Sequence, residues 1–419
     1  MSDPGSRMPA GFGRDPDGRL VIAGRTADAW GAAAGDTPLF VYDMGLVRAR
    51  IAAVRAAMPA GLRLHYAVKA NPMPELLAAM APLVDGFDVA SAGELARATA
   101  AGMAAARISF AGPGKRDREL AAAIEAGAVL SLESAGEAAR ARAIAASLGR
   151  RATVLLRVNP PFELRGSGMR MGGGARPFGV DLADAPALLA RLADPAFDVL
   201  GFHVFAGSQN LDAAAIAEAQ AATVDLVAGL AAAAPAPVRL VNLGGGFGVP
   251  YFPADRPLDL TAVGRALAST LAARPASLAG AEFAIELGRY LVAEAGVYLT
   301  RVVDRKHSRG TLFLVTDGGL HHQLAASGNL GSAVRRNYPL VNASRGSGPV
   351  EVANVVGCLC TPLDRLGEAV PLPKTAVGDL IAVFMAGAYG RTASPEAFLG
   401  HPPPGEYLAE PVSDSGTGP

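Results

Sequence analysis

Lys69 stands in the run Tyr66-Ala67-Val68-Lys69-Ala70-Asn71-Pro72, directly after a buried strand pattern and before a turn. Desolvation at such a place favours the neutral amine, the nucleophile that Schiff-base chemistry needs. A second run, Asn242-Leu243-Gly244-Gly245-Gly246-Phe247-Gly248, has consecutive glycines whose N–H groups can approach an anion closely. No Lys-Ser/Thr follows, so it is not a P-loop; Gly112-Pro113-Gly114-Lys115 fails the same test and reads as a turn. In Ile285-Glu286-Leu287-Gly288-Arg289, a carboxylate and a guanidinium stand three residues apart. The first can hold a cationic ring nitrogen, the second an anion in two-pronged fashion. His203-Val204-Phe205-Ala206-Gly207-Ser208-Gln209 adds two rings and a hydroxyl. Each run alone also has a plainer reading: a snorkelling lysine, a tight turn, a rim ion pair, a core histidine.

The elements that must position these residues follow a regular pattern. Strand-like runs fall at 62–68, 87–90, 107–111, 128–132, 153–159, 199–205, 238–243 and 282–287, several of them apolar on both faces as buried parallel strands are. Alanine-rich helical stretches lie between, such as 74–80, 92–101 and 213–231. Eight strand–helix units over roughly 245 residues give an α/β fold of the (β/α)8 TIM-barrel kind, favoured over a doubly wound sheet. All four chemical runs then fall on the catalytic rim, at the carboxyl ends of four strands. After about residue 291 short strand runs at 297–303, 311–315, 350–356 and 379–385 lack long helices, and 37–42 reads as one more strand. They predict a second, mostly antiparallel β domain. The expected division is a barrel over 44–290, a β domain from 16–43 plus 291–410, and mobile termini at 1–15 and 411–419.

One ligand satisfies the four runs together. It needs an aldehyde for Lys69, a phosphate for Gly244–Gly246 and Ser208, an aromatic face for the rings of His203 or Phe205, and a basic ring nitrogen for Glu286. Pyridoxal phosphate has all four.

With these motifs in view, the chain resembles the fold type III pyridoxal-phosphate decarboxylases, the group of diaminopimelate and ornithine decarboxylases. The resemblance runs from about Thr37 to about Leu408. It rests on Tyr66–Pro72, on Asp88-Val89-Ala90-Ser91-Ala92-Gly93-Glu94-Leu95, on Leu156-Arg157-Val158-Asn159-Pro160, on Gly244–Gly248 and on Gly387-Ala388-Tyr389-Gly390. It implies an alanine-racemase-like barrel with a β domain, a homodimer, and active sites shared across the interface. It further implies that Lys69 binds the aldehyde, that Gly244, Gly245, Gly246, Arg289 and Tyr389 contact the phosphate, and that Glu286 pairs with the pyridine nitrogen. Asp88, Arg157, His203, Phe205, Ser208 and Gly288 complete the expected cofactor site; which of His203 and Phe205 faces the ring is left open. Glu286 favours decarboxylation over racemisation, because a carboxylate keeps the ring nitrogen protonated and the ring a strong electron sink.

Departures from the family pattern bear on the substrate. The family's Glu-Pro-Gly-Arg is Glu286-Leu287-Gly288-Arg289 here, and Phe205 replaces a histidine. In Cys358-Leu359-Cys360-Thr361-Pro362-Leu363-Asp364, Cys360 takes the place of the cysteine that protonates Cα in relatives. Thr361 takes the place of the acidic residue that reads a distal ammonium, and an uncharged side chain cannot supply that ion pair. Arg289, Thr361, Asp364 and Tyr389 are the expected substrate contacts, and the substrate's far end is expected to carry no free cation. The Cys-Thr-Pro-Leu-Asp string and the segment from Ala393 to Pro402 resemble the exosortase-associated and aminoglycoside-biosynthetic decarboxylases. The latter act on a glutamyl group tethered to an acyl carrier protein. The alternatives are a diaminopimelate decarboxylase, a racemase of the same fold, a non-catalytic pyridoxal-phosphate-binding paralogue, and a cofactor-free Schiff-base aldolase.

Composition sets the outer bounds. The 419 residues carry 38 basic and 38 acidic side chains, so there is no overall basic footprint for nucleic acid. Only Lys69, Lys115, Lys306 and Lys374 are lysines. Two cysteines, Cys358 and Cys360, exclude a disulfide scaffold and suggest a reduced cytoplasmic setting. The residues Met1–Gly5 show no basic or apolar leader pattern, and no membrane span is expected. No metal is expected either, since His321 and His322 have no third ligand at a fitting spacing.

Overall fold

The computed structural model describes residues 8–166, 168–170, 172–330 and 335–410. The chain divides into two compact units, one of residues 50–249 and 256–291, the other of residues 1–49, 250–255 and 292–419.

The first unit is a closed parallel barrel. Its strands are β1 (Arg63–Ala67), β2 (Gly86–Val89), β3 (Ile108–Phe110), β4 (Val129–Leu132), β5 (Ala152–Asn159), β6 (Phe197–Val204), β7 (Leu240–Asn242) and β8 (Glu282–Leu287). Each pairs in parallel with the next, and β8 pairs back onto β1, with Glu286 beside His65. All eight strand runs read from the sequence are these eight strands. Inside the barrel, Val129, Leu155, Leu240 and Ala284 form a packed apolar layer contributed by alternate and neighbouring strands.

Side-chain caps set where the helices begin. Ser91 Oγ accepts from the Glu94 N–H at 3.1 Å, and Glu94 Oε2 accepts from the Ala90 N–H at 2.7 Å. Ser134 and Glu137 repeat the device, with Glu137 bonding the Glu133 N–H. The Ser-x-x-Glu part of the 88–95 motif is therefore a reciprocal cap that starts the helix Ala92–Ala100.

The helix Ala213–Ala231 is long and apolar enough to cross a membrane by length and composition, which the sequence reading overlooked. It is the crossover from β6 to β7. Its buried residues include Ile216, Thr223, Val224, Val227 and Leu230, one face at helical spacing. Alanines at the remaining positions raise its mean hydropathy.

The second unit is built on the strand Gly296–Ser308. It pairs antiparallel with Leu39–Asp43, Leu380–Val383 and Thr311–Thr316. Two joints are parallel: 312–315 with 353–356, and 405–409 with 39–43. The expected mobile segment 1–15 extends too far. Phe12 is buried with its ring 5.2 Å from that of Phe384, and the Arg14 guanidinium donates to the carbonyls of Gly18 and Asn342. The expectation for 411–419 lies outside the described residues.

Candidate active site

β1 ends at Ala67 and the chain passes through one 3-10 turn, Val68–Ala70. The Tyr66 hydroxyl donates to the Asn71 carbonyl at 3.0 Å, and the Met73 N–H donates to Asn71 Oδ1 at 3.1 Å. These bonds close the turn and leave Lys69 at the carboxyl end of the barrel. The Lys69 side chain is exposed, so the chain alone does not supply the desolvation expected from the sequence. Its Nζ lies 5.6 Å from the centre of the Phe205 ring.

Strand register gathers the other residues at the same end. Ala67 is beside Asp88, and His203 is beside both Arg157 and Asn242. A cavity of about 300 Å³ opens there, lined among others by Lys69, Asp88, Arg157, His203, Phe205 and Glu286. The Gly112–Lys115 segment is a turn, as expected, but it also forms part of this lining.

Glu286 is kept ionised. Burial opposes its charge, yet His203, and after it Lys69 and Arg157, outweigh burial and hold the carboxyl below its ordinary range. Ser131 Oγ and His203 Nδ1 are hydrogen-bonded at 2.8 Å, and His203 Nε2 faces Glu286 Oε2 at 3.5 Å. Asn242 Nδ2 donates to the same oxygen at 3.1 Å. Asp88 is pushed the other way, first by burial and then by the charge of Glu286, with His65 opposing. The two carboxyl groups are thus shifted in opposite directions. Arg157 is committed to Glu133 at 2.8 Å, both side chains being buried.

The glycine loop has the form of an anion cradle. Gly244 and Gly246 have φ of +69° and +94°, where a side chain would be strained. A Cβ at Gly245 would fall on the Glu286 carbonyl oxygen, and one at Gly246 would meet the Gly207 carbonyl oxygen at 2.5 Å. Asn242 Oδ1 accepts from the Gly244 N–H at 2.8 Å, so one amide orients both the loop and the Glu286 carboxylate. Among the described residues, the N–H groups of Gly245 and Gly246 meet no acceptor. The Ser208 Oγ beside them in the chain fold is buried and also has no partner. Unspent donors of this kind suit a phosphate. A ring nitrogen partner, an amine and an aromatic face stand at the same cavity, so the residues fit pyridoxal phosphate.

Gly288 packs its backbone against Ala67 and Ala70, holding the strand end of Glu286 against the Lys69 turn. Arg289 opens the helical turn that follows and is half-buried. Cys360, Thr361, Asp364 and Tyr389 belong to the other unit. Cys360 is exposed, Thr361 is half-buried, and Tyr389 is half-buried with a φ of +53°. Asp364 departs from expectation as a substrate contact. It is 3% exposed, and its oxygens accept from the N–H groups of Leu320 at 2.6 Å and Leu359 at 2.9 Å. It ties two loops together. Asn242, Ser131 and Glu133 were missed as site residues; only Asn242 carried a signal, as the first residue of the glycine run.

A parallel barrel with a lysine at its mouth, a phosphate cradle and an ionised carboxylate defines the pyridoxal-phosphate-binding barrel class. The family model for the pyridoxal binding domain of pyridoxal-dependent decarboxylases matches residues 44–293. The chain belongs to this family, and it is a pyridoxal-phosphate-dependent amino-acid decarboxylase. It is 37% identical over 380 residues to the L-glutamyl-[BtrI acyl-carrier protein] decarboxylase of Niallia circulans, covering 89% of each chain. It is 35% identical over 373 residues to the diaminopimelate decarboxylase of Deinococcus radiodurans, covering 89% of this chain and 90% of that one. The crystal structure of diaminopimelate decarboxylase from M. jannaschii in co-complex with L-lysine superposes with a TM-score of 0.86 at 26% identity, over 95% of this chain and 92% of that one.

Proposed function

We propose that the enzyme removes the α-carboxyl group from an amino acid whose far end carries no free ammonium, a glutamyl group presented as a thioester by an acyl carrier protein. Thr361 carries this reading. It stands one residue after Cys360, where an acidic side chain would be needed to pair a distal cation, and its hydroxyl accepts locally from the Leu363 N–H at 3.3 Å. The Niallia circulans relative, named for a carrier-bound glutamyl substrate, supports it.

Bound pyridoxal phosphate supplies an electron sink for the pair left on Cα when CO2 departs. The protein's own groups do the rest. Lys69 Nζ would hold the cofactor's aldehyde carbon. Glu286, steadied by Asn242 and His203, would hold the proton on the ring nitrogen. Burial and the charge of Glu286 raise the pKa of Asp88 beside it, with His65 opposing. Phe205 offers its face at the Lys69 amine, and His203 its edge at Glu286. Gly245, Gly246, Ser208 and Arg289 would hold the phosphate. Cys360 of a second copy delivers the proton to Cα, which makes a homodimer with shared sites part of the proposal. A reduced, cytoplasmic setting agrees with two free thiols.

The test is to offer carrier-bound glutamate, free glutamate and diamino acids to the holoenzyme and to measure CO2. Carrier-bound glutamate is expected to react at least about 10²-fold better than either free class, the scale of one well-used recognition surface. Thr361→Asp should raise kcat/KM for diamino acids by about tenfold, the worth of one partly buried ion pair. Preferential turnover of free diamino acids by the unaltered enzyme would overturn the substrate assignment and leave the decarboxylase chemistry standing.

A further inference from the structure

Three polar side chains outside the barrel converge without serving any step above. His321, Cys358 and His401 come from three separate loops of the second unit, and their ligand atoms all lie within 4.8 Å of one another. Cys358 Sγ lies 3.8 Å from His401 Nε2. The His321 and His401 ring centres are 5.1 Å apart. His321 is 0% exposed, and neither of its ring nitrogens has a hydrogen-bond partner among the described residues. A buried imidazole normally satisfies at least one nitrogen. A metal ion at the centre of the trio would satisfy it.

We propose that His321, Cys358 and His401 bind a divalent transition-metal ion, zinc being the natural occupant, with one coordination position left for water. A thiolate with two imidazoles is a borderline-soft donor set that suits zinc and disfavours magnesium or calcium. Zinc–nitrogen bonds of about 2.0–2.1 Å and a zinc–sulfur bond of about 2.3 Å place tetrahedral ligand atoms about 3.3–3.6 Å apart. The Cys358–His401 separation is about 0.2 Å above that range, and a separation of 4.8 Å needs about 1.2 Å of side-chain adjustment. Binding breaks the S–H bond of Cys358. The proton, which now points to the Asp317 carbonyl at 3.4 Å, leaves to solvent, and the sulfur lone pair goes to the metal. No electron is transferred.

The surrounding bonds hold the loops in place before any ion arrives. Asp364 ties the N–H of Leu320, one residue before His321, to the N–H of Leu359, one residue after Cys358. His322 is not a ligand. Its Nδ1 accepts from the Tyr298 hydroxyl at 3.1 Å and its Nε2 donates to the Pro402 carbonyl at 3.2 Å, which pins the segment next to His401. Sequence spacing hid the site, because the three donors are 37 and 43 residues apart along the chain. The consequence falls on Cys360, two residues from Cys358: the ion would fix the loop that carries it. His321, Cys358 and His401 are thus positioning residues, and the site stands whether or not the substrate assignment does.

The experiment uses the pyridoxal-phosphate-loaded full chain. It is stripped with a chelator, given zinc sulfate, dialysed and analysed for metal. About one zinc per chain is expected to remain. Cys358→Ser and His401→Gln should each retain less than about a tenth of that, whereas Cys360→Ser should retain it all. The visible absorbance of the bound cofactor reports that each variant is folded. Cobalt chloride offered to the stripped protein should add a sulfur-to-metal charge-transfer band, read as the difference between loaded and stripped samples, that Cys358→Ser lacks. Retention of less than about a tenth of a zinc by the unaltered chain would overturn the proposal. So would equal retention by Cys358→Ser and His401→Gln when both are folded.

Discussion

Lys69→Ala is expected to lose the visible absorbance of the bound cofactor and to cut CO2 release by about 10⁴-fold, the scale of removing a covalent catalyst. No neighbour can take over. Lys115 is the other lysine of the cavity lining, but its amine is spent on Glu137 at 2.7 Å, on the Gly112 carbonyl at 2.7 Å and on the Ser131 carbonyl at 2.9 Å. Freeing it would leave the buried Glu137 uncompensated. The fold should survive, because Lys69 is exposed and the turn is closed by Tyr66 and Asn71 rather than by the amine. Circular dichroism together with a CO2 assay separates loss of chemistry from loss of structure. Activity within tenfold of the unaltered enzyme would remove Lys69 from its role.

Glu286→Gln should lower kcat by about 10²–10³-fold, as loss of one preorganised charge contact does, with a smaller change in KM. The structure adds a pH signature. Burial and the charge of Glu286 push the Asp88 carboxyl above its ordinary range, with His65 opposing. Removing that charge lowers the pKa of Asp88, so Asp88 ionises more readily as pH rises. The variant should therefore recover part of its activity toward alkaline pH, and Glu286→Gln combined with Asp88→Asn should not. Equal pH profiles for the single and double variants would show that the two carboxyl groups do not share one charge.

The barrel was readable because each of its eight strands is a short apolar run bounded by helix or turn signals, the periodicity that burial on both faces imposes. Lys69, Glu286 and the glycine loop were readable because each follows such a run. What escaped depends on contacts between distant segments. Asn242 works by bridging Gly244 and Glu286, and nothing local in Asn242-Leu243 announces that second partner. Asp364 read as a substrate contact because of its neighbours in sequence, and only the two backbone N–H groups closing on it reveal a loop tie. Phe12 sits in a Gly- and Pro-rich stretch that suggests mobility, yet its packing on Phe384 overrides composition. Alanine content made the 213–231 helix look merely helical, while its summed apolarity reaches the range of a membrane span.

Every proposed role at the site depends on the bond between Lys69 and the cofactor's aldehyde. Borohydride reduction of the purified holoenzyme, followed by digestion and peptide mass spectrometry, reads that bond directly. The expected result is a pyridoxyl group on the peptide that contains Lys69, and none on the peptides of Lys115, Lys306 or Lys374. A label on another lysine, or a reduced protein with no label at all, would contradict it.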